Sequence, residues 1–179
     1  MEIKATLRRP YSDRQRVDFI VENNYKYGYE IRETGEALEA WGLTSEEELQ
    51  QVKENKYQEA LEKANYFLNN EALFELEENV HIEATKENMN TMATAAIAIE
   101  KGLMESQSWT SKEDTLVELN EEECLTISMG IGMIQSEIWN NQFLAYKELI
   151  DEAETVEAVK AIAIVYLLEA PESEEVVEE

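Results

Sequence analysis

The chain has 179 residues, 44% of them apolar, and a formal net charge of −25 from 40 Asp/Glu against 15 Lys/Arg. That length supports one good core or two small units, the apolar content argues against wholesale disorder, and residues 156–168, the longest apolar candidate, are too few and too charged at Glu157 and Lys160 to span a membrane. Residues 1–32 carry seven bases against five acids, a net +2, whereas residues 33–179 carry −27, which argues against a nucleic-acid backbone as partner of the main body.

Glu2 to Arg8 reads as a strand with Ile3, Ala5 and Leu7 on one side, ended by Arg9-Pro10 because proline donates no N–H to a ladder. Ser12 with Gln15 forms a capping box for a helix whose face is Val17, Ile20, Val21 and Asn24, and Gly28 suits its C′ position. Tyr29 to Arg32 returns as a strand. Thr34 then opens a short helix with Ala37, Leu38 and Trp41, stopped by Gly42. These elements make a small N-terminal lobe, 1–43. Its two helices and its arginines invite a helix-turn-helix reading, but the turn after Gly28 is too long and the basic excess too small.

The main domain, 44–168, begins with a capping box at Ser45 and Glu48. Its helix carries Leu49, Val52, Ala60, Leu61, Ala64 and Leu68, and ends at Asn69-Asn70. The polar run Lys53-Glu54-Asn55-Lys56 within it is a candidate boundary. Leu73–Glu77 and Val80–Ile82 read as a hairpin around Glu78-Asn79. Thr85 caps a helix through Lys101 with Gly102 as its stop; its expected buried face is Met89, Met92, Ala93, Ala96, Ile97 and Ile99. Thr115–Leu119 is a short strand that completes a small antiparallel sheet with the hairpin.

Asn120 and Glu123 form the cleanest capping box in the chain. Beyond it, Ile127, Ile131, Ile134 and Ile138 form one apolar row and Trp139, Phe143, Tyr146 and Ile150 a second, which suggests a central helix covered on more than one side. Leu125, Ile127, Met129, Ile131 and Met133 also alternate with period two, as a strand would; the cap and the long continuation favour the helix. Trp109, Trp139, Ile131, Ile134 and Ile138 should be buried together. Thr155 opens a last helix with Val159, Ile162, Ala163 and Tyr166. Residues 169–179, six acids and no base, read as a disordered acidic tail. The fold class that results is α+β and helix-dominated: four to five helices, a small antiparallel sheet and the N-terminal lobe.

Catalytic candidates fail one by one. His81 is the sole histidine, and Glu78-x-x-His81 is one copy of a motif that a di-iron site needs twice. Cys124 lies in the first turn of a helix, where the dipole lowers a thiol pKa, but no second cysteine exists, and a small buried hydrophobe is the default. Gly130-Ile-Gly132 lacks the third glycine of a dinucleotide loop. Glu46, Glu48, Glu121 and Glu123 are accounted for as helix N-termini. No catalytic residue, cofactor or metal is expected. The interface candidates are Tyr25, Tyr27, Tyr29, Arg32 and Trp41, since aromatic and arginine side chains anchor protein–protein contacts.

The chain from about Lys53 to Ile162 resembles a small phage-associated domain found in tail-fibre, baseplate-proximal and tail-assembly proteins. The resemblance rests on the strand pair Phe74-Glu-Leu…Val-His-Ile and the helix Met92-Ala-Thr-Ala-Ala-Ile-Ala. It continues through Ser108-Trp-Thr and Leu116-Val-Glu-Leu-Asn-Glu-Glu-Glu, then the helix with Trp139 and Tyr146-Lys147, and Ala153-Glu-Thr-Val-Glu-Ala. Arg9-Pro-Tyr-Ser-Asp and Ala37-Leu-Glu-Ala-Trp-Gly-Leu-Thr-Ser-Glu-Glu-Glu resemble leaders on prophage-encoded proteins. The resemblance implies a phage or prophage origin and a binding or structural role in tail, baseplate or fibre assembly. It carries no catalytic residues. The N-terminus lacks the apolar core of a signal peptide, so the expected location is the bacterial cytoplasm during phage production, or the virion. The alternative is an acidic phage-encoded inhibitor whose −27 body occupies, as a nucleic-acid mimic, the basic groove of a host defence protein such as a CRISPR effector. Both readings expect a protein partner and neither nucleic acid nor membrane.

Overall fold

The computed structural model describes residues 1–168, and the expected disordered tail lies outside the described residues. Within them the fold is α+β and helix-dominated, with small antiparallel sheets of three, two and two strands. No helix among the described residues is long and apolar enough to cross a membrane. Two compact units emerge: Met1–Asn55 with Glu154–Lys160, and Lys56–Ala153 with the described residues from Ala161 on. The division falls in the polar Lys53–Lys56 run rather than at 43/44, because Glu48 and Gln51 of the long helix line a cleft with residues of the lobe.

In the first unit, β1 (Glu2–Arg8), β3 (Ala37–Gly42) and β2 (Glu30–Glu33) form an antiparallel sheet in that order, with β3 in the centre. Helix α1 (Asp13–Ile20) starts at the predicted Ser12–Gln15 capping box and continues as a π-helical segment, Val21–Lys26. Gly28 follows at φ 72°, a conformation glycine takes without strain. The buried side of this helix is not the predicted one. Asn23 is buried, with its amide donating to Phe19 O, while Val17 and Val21 stand exposed.

The helix expected after Thr34 is β3 instead. Thr34 Oγ1 accepts from the backbone N–H groups of Glu36 and Ala37, and Thr34 N–H donates to Ala37 O, which closes a turn between β2 and β3. Ala37, Leu38, Ala40 and Gly42 are buried with Glu39 and Trp41 half-buried between them, and pairing on both edges of β3 fixes the period-two pattern. The long helix α2 (Ser45–Asn70) is capped one residue earlier than expected. Thr44 Oγ1 accepts from Glu47 N–H, and the Glu47 carboxylate accepts from Thr44 N–H.

The second unit holds the main apolar core. From α2 it takes Ala60, Ala64 and Leu68. Strands β4 (Leu73–Glu77) and β5 (Val80–Glu83) form the predicted hairpin, with Asn79 at φ 63°. Helix α3 (Lys86–Glu100), capped by Thr85, buries Met92, Ala95 and Ala96; Ile97, expected inside, is exposed. Gly102 ends it at φ 67°, with Leu103 N–H reaching Ala98 O in the six-to-one bond of a Schellman motif.

Strand β7 (Leu116–Leu119) pairs not with the first hairpin but with β6 (Gln107–Thr110). The single three-stranded sheet is therefore two hairpins. They meet at His81, whose carbonyl accepts from Lys112 N–H and whose own N–H donates to the Glu113 carboxylate, so a loop and a side chain stand where a ladder was expected.

Helix α4 (Glu121–Ser136) opens at the Asn120–Glu123 capping box, passes through a π-helical segment, Glu137–Phe143, and continues as α5 (Leu144–Glu152). Ile127, Ile131, Ile138, Phe143 and Ile150 are buried. The five-residue step from Ile138 to Phe143 lies in the π segment, where the extra residue per turn carries one face across what reads in sequence as a change of row. Ile134, Trp109 and Trp139 pack half-buried against the same core. Among the described residues the side bearing Leu125, Met129 and Met133 is exposed, where cover on more than one side was expected.

Thr155 caps α6 (Val156–Ala161), but the last helix stops there instead of reaching Tyr166. Residues 162–168 run extended: Ile164 and Tyr166 are buried, while Ala163, Val165 and Leu167 are exposed. Side chains satisfy this strap's backbone. The Tyr146 hydroxyl donates to Val165 O and accepts from Val165 N–H, and the Gln142 amide donates to Leu167 O and accepts from Leu167 N–H. Lys63 reaches Ile164 O, and the Tyr166 hydroxyl donates to Ala60 O; burial pushes that phenol up to about 12.

Candidate functional site: an aromatic cleft in the N-terminal unit

Of the five interface candidates, Tyr27, Tyr29 and Trp41 line one cleft of about 510 Å³, together with Met1, Lys4, Gly28, Gly42, Leu43, Glu48 and Gln51. Turn geometry places the tyrosines. Tyr29 N–H donates to Asn23 O and Asn24 donates to Tyr29 O, which anchors the chain just after the π-helical segment. The Tyr27 and Tyr29 rings stack at 5.6 Å between centroids. Gly42, read in sequence as a helix stop, has a different reason to be glycine: a Cβ there would lie 2.8 Å from the Tyr29 ring. Absence of a side chain on the central strand is what seats the aromatic.

Arg32 reaches the same neighbourhood through the sheet register. Glu30 pairs with Trp41 and Arg32 with Glu39, so all four side chains leave one face. The Arg32 guanidinium lies 4.7 Å from the Trp41 ring centroid and donates two hydrogen bonds to Glu30, at 2.9 and 3.0 Å, while the Trp41 indole N–H donates to Glu39. This pairing holds the Glu30 carboxyl below its ordinary value. Stacking of a guanidinium on an indole fixes both planes and leaves them able to meet a partner with little further loss of freedom. Tyr25 does not join the cleft. It stands 82% exposed on the π-helical segment, four residues beyond exposed Val21 and eight beyond exposed Val17.

Alternation of burial in Ala37–Gly42 would have brought Glu39 and Gly42 into the candidate set. Nothing local in the sequence signals Met1, Lys4, Glu48 or Gln51, which long-range pairing and helix packing bring in. The basic excess of the lobe is largely neutralised in place. Arg9 and Arg16 both bind Glu33, Arg14 pairs with Asp18, Arg32 with Glu30 and Lys4 with Glu2.

The sequence's chemical candidates lie elsewhere. His81 Nδ1 sits 2.7 Å from Glu113 Oε1, in a small cleft with Trp109, Ser111 and Lys112. The Glu113 carboxyl, which accepts first from His81 N–H and then from the imidazole, is held at about 2. Ser111 beside it is buried, its Oγ accepting from Glu113 and Thr115 N–H groups, so this cluster staples the two hairpins together. Cys124 is fully buried, and burial pushes its thiol up, which overrides the lowering expected from the helix dipole. Among the described residues no group of three or more His, Cys, Asp or Glu could hold a metal ion. No family model, curated protein or solved structure matches the chain.

Proposed function

We propose that the protein is a non-catalytic binding module that docks a protein partner through its N-terminal aromatic cleft, in the tail, baseplate or fibre assembly of a phage. The observation that carries the docking reading is the convergence of Tyr27, Tyr29 and Trp41 on one open cleft, with Arg32 stacked on the indole. A cleft of about 510 Å³ takes one or two partner side chains, and aromatic and arginine anchors dominate interface energetics once a partner covers them. The phage setting follows from the resemblance of residues 53–162. With it goes the proposed location, the bacterial cytoplasm during phage production or the virion.

The test is binding of the full chain to phage tail and baseplate proteins, measured by interferometry with Tyr27→Ala and Arg32→Ala variants. Tyr27 is half exposed, so its truncation should leave the fold intact, which circular dichroism checks. Each variant should weaken binding at least tenfold, with little dependence on salt. Unchanged affinity in both variants would remove the cleft from the function.

The net charge of −27 over residues 33–179 favours a second reading, in which the acidic body mimics nucleic acid for a basic host defence protein. Such binding is charge-driven and would fall steeply between about 0.1 and 1 M salt, where the Debye length shrinks from about 10 to 3 Å. Steep salt dependence, with the cleft variants neutral, selects this reading over the first.

A further inference from the structure

From Cys124 to Tyr146 the chain carries one charged residue, Glu137, in a protein whose residues are 31% charged. This stretch is the middle of the continuous helix formed by α4, the π segment and α5. Its inner side builds the core. On its outer side Leu125, Met129 and Met133 follow one another at four-residue spacing, and Met129 and Met133 are 69% and 73% exposed. Exposed Thr126, Ser136, Asn140 and Leu144 extend the same uncharged surface. At 1.5 Å per residue, the face from Leu125 to Leu144 is about 29 Å long.

Gly132 borders this face, and nothing packed against it among the described residues requires it to be glycine. A Cβ there would meet only Met89 Sδ at 3.6 Å, an ordinary contact, whereas at Gly130 it would overlap the Phe74 ring. Glycine in mid-helix is unfavourable compared with alanine. At 132 that cost is not offset by any tight contact of the glycine with the described residues.

We infer that this face binds a second copy of the chain. Two α4 helices would cross antiparallel about a twofold axis, with Met129 of each beside Met133 of the other and Gly132 admitting the partner helix. A basic partner would be drawn to carboxylates, and this face offers almost none. For two chains of net charge −25 it is instead the surface on which they can meet without opposing acids. The antiparallel arrangement is self-complementary, as a twofold contact must be. One helix face is smaller than the ~800 Å² per partner of standard complexes, so the dimer is weak and concentration-dependent. Salt screens the repulsion between the two bodies while leaving apolar burial intact. Dimerisation therefore strengthens with salt, opposite in sign to capture of a basic partner.

Sedimentation velocity of the full chain across micromolar concentrations, at about 0.1 and 1 M salt, tests this directly. The expected result is a monomer–dimer equilibrium that shifts toward dimer as salt rises. Met133→Glu should weaken it at least tenfold, while Leu103→Glu, at an equally exposed apolar position, leaves it unchanged. Gly132→Ala should raise the thermal midpoint of the monomer and yet weaken the dimer, a pairing of effects that a purely structural glycine would not show. Monomer under every condition, dissociation as salt rises, or a dimer that survives Met133→Glu overturns the inference. If Met133→Glu unfolds, mixed Met129→Cys and Met133→Cys chains decide it by disulfide cross-linking, since buried Cys124 does not compete. Absence of cross-linked dimer then overturns it.

Discussion

Gly130 and Gly132 stand two residues apart in α4 for opposite reasons, and single substitutions separate them. Alanine at 130 drives its methyl into the Phe74 ring, which is itself packed on the core. Overpacking of that kind costs about 1–3 kcal/mol, against a helix-propensity gain of about 1 kcal/mol. Gly130→Ala should therefore unfold at lower urea than the wild type, and Gly132→Ala, which meets no such obstacle, at higher. Glu113 makes a second residue-level prediction. Its folded pKa of about 2 lies below the ordinary 4.5, so its stabilising contribution is complete above pH 4.5 and drains away as pH falls toward 2. Urea midpoints at pH 5 and pH 3 should differ more in the wild type than in Glu113→Gln; equal differences would mean that the His81 staple contributes nothing. At this scale the sequence was easy to read where the chemistry is local. The boxes at Ser12–Gln15 and Asn120–Glu123 and the stops at Gly28 and Gly102 are all in place. Gly42 reads as a helix stop in sequence because its contact with Tyr29, the residue that leads into β2, is not local.

At the level of elements, α4 rests on one buried row. Ile131 is fully buried and Ile134 only partly, so Ile131→Ala should cost about 2–5 kcal/mol and Ile134→Ala less. Equal losses in chemical denaturation would mean that the helix is covered on both sides after all. The two rows visible in the sequence are one face because the π segment inserts a residue, and a fixed 3.6-residue period has no means of showing that. Ala37–Gly42 failed for a related reason. Its Ala-Leu-Glu-Ala composition has helical propensity, and it is a strand because β1 and β2 pair with it on both sides. Residues 162–168 also read as helix from their apolar content. They are extended because Tyr146, Gln142 and Lys63 supply partners for their backbone, side chains that lie 19 to 101 residues away in sequence.

For the molecule as a whole, the polar run at Lys53–Lys56 did mark where one unit gives way to the next, within a helix that local propensity keeps unbroken. No composition shift announces that Glu154–Lys160 rejoins the first unit before the chain returns to the second. That excursion has a consequence for how the protein is made. The first unit lacks Val159 until the chain has reached that far, and the core of the second lacks Ile164 and Tyr166 until a few residues later. A domain ordinarily folds as soon as it leaves the ribosome, N-terminal first. Here the leading unit cannot finish ahead of the trailing one: both reach completion only once the chain has passed from Val159 to Tyr166, and the nascent chain carries two unfinished cores until then.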